Sequence, residues 1–298
     1  MLSPALALVY AGAVGLAFGS FLNVVIHRLP RGRRLGWSRS RCPYCGGALA
    51  AWENVPLLSY LLLRARCRRC GAPISARYPL VEAVTGLLFV LCVARFGLTG
   101  EALAGMIFCT LLVALAAIDA EHFLLPDAIT LPGIAAGLLL QRWLPRTSFL
   151  DAVTGALVGA GLLILLINVW YWWRKEEGMG LGDVNMLALV GAFLGWKGVV
   201  ATVAVAALAG SLTGVVLLAG RRLGLKSKLP FGVFLALGAL VALFGGDRLV
   251  DAYLALGGDV SQGVVLRHTG EEAELIFGYP NRIRSEACLK LDIGGSAG

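Results

Sequence analysis

Eight apolar runs dominate this chain, and most are long enough to cross a bilayer. They cover residues 5–26, 79–94, 102–118, 128–140, 152–173, 186–196, 199–219 and 229–244, with short charged stretches between them. A membrane-crossing helix needs about 20 mostly apolar residues. The second, fourth and sixth runs fall short of that, so they either extend through polar ends or line a hydrated cavity. Of the 298 residues, 58% are hydrophobic and 15% charged, where soluble domains carry roughly 25% charged residues. A disordered chain and an ordinary soluble domain are thereby excluded. The expected fold is an all-α polytopic membrane protein with about eight transmembrane helices. The first run has no basic residues before it and several after it, so it is expected to be a retained helix rather than a cleaved signal.

Charge is concentrated in one place. Residues 28–77 hold eleven arginines and a single acid, Glu53. Basic loops stay on the cytoplasmic side. That orientation also puts 119–127, 174–185 and 221–228 inside, two of which are basic. A single basic patch of this kind is not a nucleic-acid surface. It either sets topology or holds anionic membrane lipids. The expected organisation is a first transmembrane helix (1–27), a cytoplasmic four-cysteine insert (28–78), a transmembrane core (79–244) and a polar extension (245–298) on the periplasmic side.

Within the insert, Cys42 and Cys45 sit in CPYC, and Cys67 and Cys70 in CRRC. Two CxxC knuckles supply four thiolates, the ligand set of a closed, structural zinc site. Such a small, apolar-poor segment needs a staple to hold a fold. The alternatives are redox cysteines, disulfides or packing. Cys92 and Cys109 lie in apolar runs and are expected to be core residues.

Three aspartates stand at the cytoplasmic ends of apolar runs: Asp119, Asp127 and Asp183. Ionisable groups at that depth are costly and tend to be functional. Asp119 and Asp183 brought together can share a proton, one activating water and the other polarising a peptide carbonyl. Coupling of protons or ions in a carrier is the competing use, and solvated loop ends the plainest. Asp127 follows Pro126 and suits the first turn of a helix. Gly180 and Gly182 allow a close backbone at the entrance to Asp183. HExxH, GxSxG and phosphate-loop patterns are absent, which weakens metalloprotease and serine-hydrolase readings.

These residues fall into a known pattern. The chain resembles the bacterial type IV prepilin leader peptidase and N-methyltransferase family. The resemblance runs in order through FGSFLNVVIHRLP (18–30), RCPYCG, ENVPLLSYL, RCRRCGAPISARYPLVE, IDAEHFLLPD, GLGDVN and PFG (230–232). It implies that Asp119 and Asp183 are the catalytic pair, with Asp127 a further acidic position. It also implies that Cys42, Cys45, Cys67 and Cys70 hold Zn2+. The implied activity is removal of a short basic leader after glycine from prepilins and type II secretion pseudopilins, at the cytoplasmic face of the inner membrane. Methylation of the new N-terminus with S-adenosylmethionine would follow. Asn185 departs from the pattern, which often has lysine there. A proton-coupled transporter and a membrane protein with a zinc docking module are the alternatives from other classes.

Overall fold

The computed structural model describes residues 3–33, 41–144, 147–175, 180–220, 229–256, 264–269 and 272–277. Two compact units are present, Met1–Asp247 and Arg248–Gly298.

In the first unit, α1 (Pro4–Arg28) starts at Ser3, whose hydroxyl accepts the Leu6 N–H, with Pro4 at its first position. Serine followed by proline is a strong helix start. The short α2 (Leu58–Leu62) lies in the insert, and α3 (Arg77–Phe96) follows it. Helix α4 (Gly100–His122) is capped by Thr99, and α5 (Asp127–Leu139) begins after Pro126. Helix α6 (Phe149–Arg174) opens with a capping box, in which Ser148 and Asp151 each accept the other's backbone N–H. Asp151 therefore belongs to a helix start, although the stretch 145–151 reads as loop in the sequence. Helix α7 (Leu181–Ala219) and α8 (Phe231–Leu256) complete the set.

Five of these helices are long and apolar enough to cross a membrane, and the apolar part of α8, Phe231–Gly246, is shorter. The sixth and seventh apolar runs of the sequence lie in one helix, α7. It bends at Gly195, whose backbone (φ 69°, ψ −178°) is not helical. Only glycine takes that conformation without strain. Before the bend, α7 runs antiparallel to α6: Gly155 faces Gly195 and Gly191, and Gly159 faces Leu187. After the bend it runs antiparallel to α8, with Thr202 against Gly238 and Gly210 against Phe234. The chain thus doubles back, and both ends of α7 lie at the membrane face where α8 begins.

Helix α4 is the centre of the unit. Phe108, Leu112, Leu115 and Ile118 are fully buried, packed with Leu187, Leu189 and Val190 of α7 and Leu235 of α8. The Phe108 and Phe193 rings stack with centroids 4.7 Å apart. Cys92 and Cys109 meet in the α3–α4 interface with sulfurs 3.9 Å apart, as core residues. Trp172, Leu157, Leu165 and Leu208 face outward, as expected of surfaces that meet lipid. Helices α1 and α3 pack closely, because a Cβ on Gly15 would lie 2.8 Å from the Gly86 Cα, and one on Gly19 2.6 Å from the Glu82 Cα. Small residues let membrane helices approach to this distance.

In the second unit, β1 (Val264–Thr269) pairs antiparallel with β2 (Glu272–Phe277). Cys288 lies outside the described residues.

Candidate active site

Four helix ends meet at one face of the first unit. Asp119 lies in the last turn of α4, which continues to His122, where the sequence suggested that the helix stops at Ile118. Phe123 takes a left-handed conformation (φ 50°) and ends the helix, its N–H donating to the Asp119 carbonyl oxygen at 2.9 Å. Asp119 is 5% exposed. Its carboxylate lies against the backbone N–H groups of Gly232 and Val233, in the first turn of α8. A helix start carries partial positive charge and free N–H groups, so it is a natural seat for a carboxylate. The Asp119 Oδ2 is buried and has no hydrogen-bond partner among the described residues.

Asp183 occupies the third position of α7 and faces back toward the N–H of Gly180, the residue that caps the helix. It lies within Coulombic reach of Asp119. Gly182 sets this approach, because a Cβ there would fall 2.8 Å from the Leu125 Cβ in the α4–α5 connection. Gly178 lies outside the described residues. Asp127 opens α5, and the Asn185 Nδ2 donates to its Oδ1 at 2.8 Å. Asn185, where the family pattern often has lysine, thus ties the start of α5 to that of α7.

Two carboxylates within Coulombic reach, one holding a buried, unpaired oxygen, can bind a water and divide acid and base roles between them. Comparison with known proteins shows the family. The family described as the type IV leader peptidase family matches residues 106–215, and the bacterial peptidase A24 N-terminal domain matches residues 13–96. A prepilin leader peptidase/N-methyltransferase of Burkholderia pseudomallei is 42% identical over 276 residues, covering 84% of this chain and 88% of that protein. The chain belongs to the type IV leader peptidase family. Proteins with the same description from Pseudomonas putida (38% identical, 86% of this chain and 97% of that one) and Myxococcus xanthus (46%, 70% and 63%) are also similar. No solved structure matches.

The cysteine tetrad is a second candidate site. The two knuckles have the same backbone: Cys42 N–H to Gly47 O and Gly46 N–H to Cys42 O, then Cys67 N–H to Ala72 O and Gly71 N–H to Cys67 O. Gly46 and Gly71 have positive φ (66° and 70°), which the knuckle turn requires. All four sulfurs lie within 4.8 Å of one another, with Cys42 and Cys70 at 3.8 Å. A tetrahedral metal with bonds of about 2.3 Å spaces its sulfurs about 3.8 Å apart, so the tetrad can hold such an ion. The backbone N–H groups of Cys70 and Arg69, and the sulfurs of Cys42 and Cys70, lower the Cys67 thiol to about 7. At Cys70 the Ala72 N–H pulls the same way, but burial and the neighbouring sulfurs outweigh it and raise that thiol to about 11. The cysteines described here are free of disulfides.

Several polar residues gain partners that the sequence did not reveal. Glu121 is exposed and pairs with Arg77 at the start of α3, and His122 beside it is half-buried. Glu82, inside an apolar run, accepts the Leu57 N–H at 2.9 Å and so ties the insert to α3. Asn23 donates from Nδ2 to the Tyr78 carbonyl oxygen at 3.0 Å. An isolated polar residue in an apolar run was the available signal.

Proposed function

We propose that this chain is a membrane aspartic endopeptidase that removes the leader of type IV prepilins and type II secretion pseudopilins, and then methylates the exposed N-terminus. The convergence of Asp119 and Asp183 at one membrane face carries the reading. Lipid-facing aromatics mark the level of that face: Trp170, Trp172 and Trp173 close α6, and the Arg174 guanidinium lies 5.6 Å from the Trp170 ring centroid. Tryptophans at a helix end favour the headgroup region. A substrate with a basic leader and an apolar helix would present its junction at this level. The insert's arginines support a cytoplasmic orientation in the inner membrane.

Cleavage needs one ionised and one neutral carboxyl group. The ionised member takes a proton from water, and the oxygen attacks the carbonyl carbon of the glycine that ends the leader. The neutral member gives its proton to the carbonyl oxygen. The tetrahedral adduct then collapses, the C–N bond breaks, the amine nitrogen takes up the proton first removed from water, and one hydroxyl of the adduct returns its proton to the other carboxylate. The short contact between Gly232 and Asp119 fixes one carboxyl group, and the Gly182–Leu125 contact fixes the helix that bears the other.

Cys42, Cys45, Cys67 and Cys70 would hold Zn2+ in a structural role, since four thiolates leave no coordination position for a substrate. When bound, S-adenosylmethionine supplies an electrophilic methyl group. The carrier and docking-module readings give the Asp119–α8 contact no role.

In membranes containing a prepilin substrate, Asp119→Asn and Asp183→Asn are each expected to abolish leader removal while the protein stays folded and inserted. The assay is the shift in substrate mobility on a gel. Normal processing by either variant would remove that residue from the pair. Mass measurement of the mature N-terminus reads methylation separately.

A further inference from the structure

A cavity of about 680 Å³ lies between the α1–α3 helix pair and the cysteine insert. Its size is within the range of about 300–1,000 Å³ for small-molecule sites. The helix side carries two buried polar groups with no part in peptide cleavage. Asn23 is 3% exposed, and its Oδ1 is buried with no hydrogen-bond partner among the described residues. Glu82 is 8% exposed and uses Oε2 to hold the Leu57 N–H. An unpaired buried acceptor is costly in the apo protein, and a ligand with a donor in this place relieves it. Tyr60 and Tyr78 line the cavity, the Tyr78 ring with the Arg77 guanidinium 5.1 Å from its centroid, and Glu53 lines it from the insert together with Arg41 and Arg68.

The lining specifies a ligand. Aromatic faces and carboxylates suit a cationic centre that is weakly hydrated, and tyrosine rings suit a planar heterocycle. Charges of both signs suit an amino-acid end. A sulfonium attached to adenosine and to an amino acid combines all three. We propose that this cavity binds S-adenosylmethionine, with Asn23 and Glu82 as its buried polar anchors. The proposal rests on the bifunctional reading above and assigns its second site to the first half of the chain. Arg77 lines the cavity and is ion-paired with Glu121, which follows Asp119 by two residues on α4.

The test uses the full chain in detergent micelles and titrates S-adenosylhomocysteine by calorimetry. The parent is expected to bind. Glu82→Gln keeps an acceptor for the Leu57 N–H and removes only the charge, and Asn23→Leu removes the unpaired oxygen. Each is expected to weaken binding about tenfold or more, while leader removal by the same preparations reports an intact fold. A second measurement needs no variant: ultraviolet crosslinking of S-adenosylmethionine to the parent, with the adduct mapped by mass spectrometry. An adduct on Tyr60 or Tyr78 supports the site. Unchanged affinity in both variants, or adducts only outside the cavity, overturns the site and leaves the bifunctional reading standing. A parent that binds no S-adenosylhomocysteine overturns both.

Discussion

Gly232 has a strict steric role at the residue scale. A methyl group on it would stand 2.8 Å from the Asp119 Oδ2 and 3.1 Å from its Cγ. That is too close for any real contact, and the carboxyl group would have to turn out of its place against α8. Gly232→Ala is therefore expected to cut the rate of leader removal by about a hundredfold, as a displacement of about 1 Å at a reacting group can, with the protein still folded. Cleavage kinetics beside a melting curve check this; an unchanged rate would show that the α8 start does not set the carboxyl's position. The two aspartates were legible in the sequence, because an acid at the end of an apolar run has few other reasons to be there. Their neighbours were not. Asn185 bonds Asp127 across 58 positions, and Glu82 bonds Leu57 from inside an apolar run. Pairings of that kind depend on the packing of helices, which no local pattern encodes.

At the scale of elements, α6 and α7 touch backbone to backbone. A Cβ on Gly159 would lie 2.5 Å from the Leu187 carbonyl oxygen, and one on Gly155 2.6 Å from that of Gly191. Gly159→Ala must push the helices apart and is expected to destabilise the protein by about 1–3 kcal/mol, the usual cost of overfilling a packed interface. Chemical unfolding in detergent measures it, and an unaltered midpoint would contradict this packing. The apolar runs predicted the helices well, since uninterrupted hydrophobic stretches allow little else in a bilayer. Helix ends were less legible. Helix α3 begins at Arg77 and α4 runs to His122, because charged residues continue a helix where it reaches the headgroups. The bend at Gly195 falls inside the sixth run, two residues before the gap that separates it from the seventh, and the structure makes it a reversal within one helix. The hairpin at 264–277 left no decisive mark, as six-residue strands are too short for a clear period.

At the scale of the molecule, the two sites fall in different halves, which match two different family domains. The insert is joined to the membrane helices through the Leu57–Glu82 bond, and it brings its four cysteines together. With Cys42→Ser, or after prolonged chelation, bound zinc is expected to fall from about one ion per chain toward none. Trypsin should then cut readily at Arg64, Arg66, Arg68 and Arg69. Metal analysis and limited proteolysis read the two effects, and a metal-free, protease-resistant insert would contradict the structural role. Acidification should act in the same direction as chelation, because protons compete with the ion for the thiolates.

Two of the three helices that begin at the aspartate pair, α5 and the first arm of α7, are short. Helix α5 has 13 residues, about 20 Å at 1.5 Å per residue, and the first arm of α7, from Leu181 to the bend at Gly195, is close to that length. The hydrocarbon layer is about 30 Å thick. This mismatch must be met by pinching the bilayer or by drawing water inward around these two helices, and either would lower the cost of unwinding a substrate's helix beside the carboxyl groups. Leader removal should accordingly slow in nanodiscs as the lipid acyl chains are lengthened, and a rate indifferent to bilayer thickness would show that the deficit is made up within the protein.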